Sequence, residues 1–192
     1  KTDYELTREQ AVKNVVNLID GDDIVVSTTG KTSRELFEYR KEIGDSHNKD
    51  FLTVGGMGHA NQIALGISLS KPDKNIYCFD GDGAFLMHSG SMGIIGEQSP
   101  SNYKHIIFNN GAHDSVGGQP TSAHGIDFKR LVKSIGYKNY FKIKDKSKVK
   151  LIIKKFLKSK GPSFLEVLIS LGSIKNLDRP KNLIEIKKKF MG

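Results

Sequence analysis

Six short apolar runs, each separated from the next by a segment of helical periodicity, constrain this chain more than any other feature. The runs are "DIVVST", "FLTV", "NIYCF", "YKHIIF", "YFKI" and "SFLEVLI". They are rich in β-branched and aromatic residues, the pattern of strands. The helical segments begin with "LTREQAVKNVVNLI", where Thr7 and Gln10 are spaced as a capping box. "SRELFEYRKEI" follows, with Ser33 the expected N-cap. Then come "HANQIALGISL", the short glycine-rich "SGSMGIIGEQ", "DFKRLVKSI" and a lysine-faced segment with apolar residues from Val149 to Leu157. Strands alternating with helices predict a parallel sheet covered on both faces. The expected fold is α/β, a three-layer αβα with a mostly parallel sheet of about six strands. The 192 residues suffice for one core and no internal linker is visible, so residues 1–192 read as a single domain.

In such sheets, ligands bind beyond the carboxyl ends of the strands. The residues there are "TTGKTS", "GGMGH", "DGDGAF" and "NNGAHDS". The first looks like half of a nucleotide-binding loop. A Walker loop needs glycine five residues before its Gly-Lys pair, and the residue five before Gly30 is Val25, inside a strand. The wrap for a triphosphate is missing. A helix N-terminus at this turn can still hold a phosphate. From this segment alone, an ordinary turn with a capping serine is the simpler reading.

The decisive spacing runs from Gly81-Asp82-Gly83 to Asn109-Asn110, with residues 84–108 between them. A strand, a helix and a second strand return the chain to the same sheet edge, so Asn110 is expected beside Asp82. One carboxylate, one amide oxygen and one backbone carbonyl make half of an octahedral oxygen shell. Diphosphate oxygens and a water complete it, as Mg²⁺ prefers.

With this signature the sequence resembles the thiamine-diphosphate enzymes, and within them the phosphonopyruvate-decarboxylase branch. "VVSTTGKTSRELFEYR", "DFLTVGGMGHANQIALGISL", "FDGDGAFLMHSGSM" and "NNGAHDSVGGQPT" carry the resemblance, which runs from about Thr7 to "SFLEVLI". It implies thiamine diphosphate and Mg²⁺ as cofactors. Asp82 and Asn110 match the metal ligands, with the carbonyl of Ala112 as the third protein oxygen. Gly83 and Ala84 match residues whose amides face the diphosphate, and Thr29 and Gly30 would lie beside it. Gly55 matches the carbonyl that accepts from the cofactor's amino group. Met57 matches the apolar wedge that keeps the cofactor bent. His113, Asp114 and Lys31 are the catalytic candidates, for protonation or for holding an anionic tail. His59 stands between such a role and packing. His47, His88, His105 and His124 are expected on the surface or in packing.

The implied reaction is decarboxylation of 3-phosphonopyruvate to phosphonoacetaldehyde and CO2, a carbon–carbon lyase step on a small anionic 2-oxo acid. A sulfopyruvate decarboxylase subunit is the alternative. A 2-oxoacid:ferredoxin oxidoreductase fits poorly, since one cysteine cannot ligate an iron–sulfur cluster. A scaffold that lost the chemistry and a basic nucleic-acid module are more distant readings. Family members also use a glutamate on a pyrimidine-binding domain, and no segment here matches that domain. The expectation is a pyrimidine-binding domain or subunit supplied from elsewhere, an oligomeric assembly, and no turnover by this chain alone.

Charge and cysteine content narrow the setting. The 30 Lys and Arg against 21 Asp and Glu leave a formal charge of +9. The lysines gather between Lys142 and Lys160 and in "EIKKKF", where they read as the solvated side of amphipathic structure. No nucleic-acid-binding motif accompanies them, so no nucleic acid is expected as partner. No apolar run is long enough to span a bilayer, and no secretory signal is visible. The single cysteine, Cys78, excludes a disulfide framework and reads as a small buried hydrophobe. A cytoplasmic setting is the expectation.

Overall fold

The computed structural model describes residues 4–174, 176–177, 180 and 182–192. Its elements are α1 (Arg8–Val16), β1 (Ile24–Ser27), α2 (Lys31–Glu42), β2 (Asp50–Leu52), α3 (Ala60–Ser70), β3 (Ile76–Gly81), α4 (Asp82–Met87), α5 (Met92–Gln98), β4 (Tyr103–Asn109), α6 (Phe128–Ser134), β5 (Asn139–Ile143), α7 (Val149–Lys158), β6 (Ser163–Leu168) and α8 (Leu183–Met191). The strands form one sheet in the order β2-β1-β3-β4-β6-β5, and every pairing is parallel. The direction of winding reverses between β1 and β3. A crevice opens at that switch point, outside the carboxyl ends of the strands.

Strand alternation builds the two cores. Val25, Tyr77, Phe79, Ile106, Phe108, Leu165 and Val167 face α1, α2 and α7. Their sequence neighbours Val26, Ile76, Cys78, Ile107 and Phe164 face the residues of α3, α5 and α6 on the other side. All seven residues of β4 are buried. Two of them are Lys104 and His105. The Lys104 ammonium donates to the carbonyls of Phe156 and Ser159 and to Ser159 Oγ, at the end of α7. Burial depresses its pKa to about 8. His105 Nδ1 lies 2.9 Å from the Tyr137 hydroxyl, and its Nε2 is 3.5 Å from Asp80 Oδ2. Cys78 is buried beside them, and burial pushes its thiol well up. His105 is therefore a core residue.

The structure corrects the sequence reading at α2. The helix starts at Lys31, with Gly30 as N-cap at φ 102°. Ser33 lies inside the first turn, where its hydroxyl donates to Thr28 O at 2.6 Å and Ser27 O at 3.3 Å. The left-handed glycine breaks the strand by itself, so no capping serine is needed. The capping box of α1 forms as expected. Thr7 Oγ1 accepts from Gln10 N at 3.2 Å, and Gln10 Oε1 accepts from Thr7 N at 3.4 Å. Two helices had no bounds in the sequence reading. α4 begins at Asp82, directly after β3, and α8 lies against β2, with Phe190 edge-on to Phe51 at 5.4 Å. In α7, Val149, Ile153 and Phe156 are buried while Leu151 is exposed with the lysines.

Candidate cofactor and metal site

β1, β3 and β4 are adjacent, so their exits deliver three loops to one crevice. Its cavity is about 260 Å³. The lining includes Thr29, Gly30, Lys31, Met57, Asp82, Gly83, Ala84, Asn110, Ala112, His113 and Asp114. Eleven of the twelve residues expected from the sequence thus share one cleft. The twelfth, Gly55, lies next door, where its N–H donates to Thr29 Oγ1 at 3.2 Å.

Asp82 is the first residue of α4 and is 1 % exposed. The first-turn amides of a helix have no partner within it, so the N–H groups after Asp82 are free for an anion. Thr121 Oγ1 donates to Asp82 Oδ2 at 2.5 Å. Among the described residues no basic side chain lies within ion-pair distance of this carboxylate. Burial raises its pKa; hydrogen bonds from Thr121 and from the backbone of Asp82 and Asn110, and the His113 charge, oppose the rise less strongly. An acid buried without a cation is a fit for one supplied from outside.

Asn110 directly follows β4. Its Oδ1 accepts from Ala112 N at 3.0 Å, and its Nδ2 donates to Asp114 Oδ2 at 2.7 Å. The loop then folds back through a two-residue antiparallel bridge, Ala112 to Pro120. The flanking hydrogen bonds run from His113 N to Gln119 O and from Thr121 N to Gly111 O, both at 2.8 Å. In this pattern Ala112 is a non-hydrogen-bonded bridge residue, so its carbonyl is left open. Asp82, Asn110 and Ala112 therefore present three oxygens of the kind that suits a hard divalent cation.

The rest of the cleft is glycine-shaped. A Cβ on Gly83 would meet the His113 ring at 2.5 Å, which places that imidazole against the start of α4. Met57 sits in a turn where Gly55, Gly56 and Gly58 have φ of 75°, 55° and 86°. That backbone projects Met57 into the cleft and returns the chain to α3. His59 is at the N-cap of α3, with Nδ1 3.1 Å from Gly56 O and its ring 4.4 Å from that of His88. It packs and braces the turn. His47 stacks on Phe37 at 4.2 Å, and His124 fills the space beside Gly111. Lys31 and Arg34 border the cleft with no acidic partner within 4 Å among the described residues. The Lys31 N–H donates to Ser115 Oγ at 3.4 Å, joining α2 to the His113 loop.

Three participants were given no role by the sequence reading, although Glu35 and Thr121 lie within the stretches that carry the resemblance. Thr121 sits in a polar loop that nothing placed over Asp82. Arg8 and Glu35 are 6 % and 2 % exposed and pair across the α1–α2 contact at 2.9 Å. Burial raises the Glu35 pKa, with Arg8 opposing. In sequence, both look like solvent-facing helix charges.

Known proteins are similar to this chain in sequence and fold. Residues 28–167 match the model of the thiamine pyrophosphate enzyme family, C-terminal TPP binding domain. Phosphonopyruvate decarboxylase of Streptomyces viridochromogenes is 34 % identical over 175 residues, 91 % of this chain and 43 % of that protein. The chain thus spans less than half the length of that relative. Sulfopyruvate decarboxylase subunit beta of Methanococcus maripaludis is 32 % identical over 195 residues, 97 % of each chain. Among solved structures, one described as a thiamin diphosphate-dependent enzyme from Mycobacterium smegmatis superposes with a TM-score of 0.71. It shares 20 % identity and covers 87 % of this chain and 32 % of that one.

Proposed function

Because this chain belongs to the thiamine pyrophosphate enzyme family, we propose that it is the diphosphate- and metal-binding half of a decarboxylase acting on a small anionic 2-oxo acid, with 3-phosphonopyruvate as substrate. The observation that carries the reading is the meeting of Asp82, Asn110 and Ala112 at one wall of a cleft that the family's other motif residues line. When bound, thiamine diphosphate supplies the electron sink that loss of CO2 requires.

The chain's own residues then have separable tasks. Asp82, Asn110 and the Ala112 carbonyl hold Mg²⁺. The Gly83 and Ala84 amides and the Thr29 hydroxyl, whose oxygen accepts from Gly55 and whose hydrogen has no acceptor among the described residues, would hold the diphosphate. Met57 would give the cofactor its apolar contact and constrain its shape, and the Gly55 carbonyl would accept a hydrogen bond from it. Lys31 faces an anion. His113, beside α4, is placed to carry a proton or bind the substrate tail. A pyrimidine-binding domain or subunit completes the site in an oligomer, so this chain alone binds cofactor without turning over.

A second reading, the cofactor-binding subunit of a sulfopyruvate decarboxylase, is favoured by the match along nearly all of a relative named as subunit beta. The test is decarboxylation of phosphonopyruvate, sulfopyruvate and pyruvate side by side, by the chain joined with its pyrimidine-binding half, Mg²⁺ and thiamine diphosphate. Preference for phosphonopyruvate is expected. Preference for sulfopyruvate selects the second reading, and absence of activity on all three overturns both.

A further inference from the structure

Arg8 has no part in the roles above, yet it is buried at the edge of the cleft. It also precedes the residues matched by the family model. Its Nε and Nη2 donate to the two oxygens of Glu35, at 2.9 and 3.3 Å. Its Nη1 donates to Asp114 Oδ2 at 3.4 Å, and Nη2 also reaches the Gly172 carbonyl at 3.4 Å. That same Asp114 oxygen accepts from Gly172 N at 3.2 Å and from Asn110 Nδ2 at 2.7 Å.

The last bond decides which way Asn110 points. An amide side chain offers a donor at one end and an acceptor at the other. With Nδ2 on the carboxylate, Oδ1 is the end left to the Ala112 N–H and the cleft. The flipped amide would set oxygen against oxygen at 2.7 Å. We propose that Glu35, Arg8 and Asp114 form a positioning relay that fixes the Asn110 amide with its oxygen toward a cation. Glu35 fixes the guanidinium fork, the fork and Gly172 N–H fix the carboxylate, and the carboxylate orients the amide. Asp114 thereby acts through Asn110 rather than as a proton donor. The inference rests on the reading of Asn110 as a cation ligand.

The test uses Mn²⁺ as probe, with thiamine diphosphate present, and free Mn²⁺ read by electron paramagnetic resonance. Asp114→Ala is expected to weaken Mn²⁺ binding about 10- to 100-fold, the usual cost of losing a group that orients a ligand. Asp114→Asn, which keeps an oxygen acceptor for the amide, should stay within about threefold of wild type. In an Asn110→Ala background, Asp114→Ala should change nothing further, since coupled residues are not additive. A purely structural role predicts the same loss in both backgrounds. Asp82→Ala separates the two claims. If Asp82→Ala leaves Mn²⁺ affinity intact, the cation site itself is wrong. If it abolishes binding while Asp114→Ala stays within about twofold, the site stands and the relay falls. A measurement on the unaltered protein covers poor folding of the variants. The side-chain amide protons of Asn110, assigned by their loss in Asn110→Ala, should resonate downfield and exchange slowly. Amide signals at the position of a freely solvated asparagine would overturn the proposal.

Discussion

Asp82 concentrates the tension of this site. Its charge is useful to a cation and costly to the fold, because it is buried with one hydroxyl and a few amides for company. Asp82→Asn should therefore raise the melting temperature of the cofactor-free chain at pH 7, while abolishing the stabilisation given by Mg²⁺ plus thiamine diphosphate. Differential scanning calorimetry with and without both ligands measures the two effects together. A lower apo melting temperature would make the carboxylate a structural requirement. Met57→Ala should leave that ligand-dependent stabilisation within about 1 kcal/mol of wild type, since it removes apolar contact and no charge, and slow turnover of the complete enzyme. At this scale the meeting of Asp82 and Asn110 was legible because their spacing follows from strand and helix lengths, while the other motif residues were named by the resemblance. Arg8, Glu35 and Thr121 were not. Their positions depend on packing between segments 27 and 39 residues apart, which periodicity does not encode.

The elements carry two further predictions. α8 covers the edge strand β2, and Leu183, Ile186, Phe190 and Met191 line an apolar cleft of about 490 Å³ with Phe51 and Ile63. None of its residues is fully buried. Deleting Leu183–Gly192 should leave a cooperatively folding chain, destabilised by about 1–2 kcal/mol in urea titration. It should also self-associate, because an uncovered edge strand templates pairing. Failure to fold would give α8 a larger share of the core than its exposure indicates. The sequence reading saw "EIKKKF" as the solvated side of amphipathic structure but gave the helix no bounds, because the strand it packs on is more than 130 residues away in sequence. The Asp82 helix escaped for a different reason: it follows β3 without a loop, and its glycine lowers helical propensity.

Lys104 on β4 supplies a pH dependence. Its pKa is about 8 in the fold against 10.5 for the free side chain. Below about pH 8 it is charged in both states, and the burial cost is fully present. Between about pH 8 and 10.5 the native state releases its proton first, so stability rises with pH. Relative to Lys104→Met, wild type should gain at most about 3 kcal/mol across that window. Denaturant midpoints for both proteins from pH 7 to 10.5 check it, and parallel profiles would show that the ammonium is hydrated after all.

For the whole molecule, the layered architecture was readable because six strand runs alternate with helical ones. The expected mostly parallel sheet of about six strands appears as six, all parallel. Strand order was not readable, since nothing local says that β3 crosses back beside β1. That crossing makes the cleft. Its parts come from residue 8, residues 29–31, residue 57, residues 82–84, residue 110 and residues 112–114, so no stretch of unfolded chain contains it. Ligand bound there stabilises only the native state. At a hundredfold excess over Kd the gain is about 2.7 kcal/mol.

The turn at residues 55–58 also has a consequence in time. One wall of the cleft hangs from β4, a strand with every residue buried and neighbours on both sides. The opposite wall is a glycine turn, held chiefly by the Thr29 hydroxyl and the Gly56–His59 contact. Amide exchange should read them on different clocks. Protons of Ile106–Asn109 should persist to the limit of global unfolding, while those of Gly55–Gly58 should be lost within seconds. A cofactor would then enter past the fast wall and be timed by it, and the slow wall would keep the metal's ligands in place between one occupant and the next.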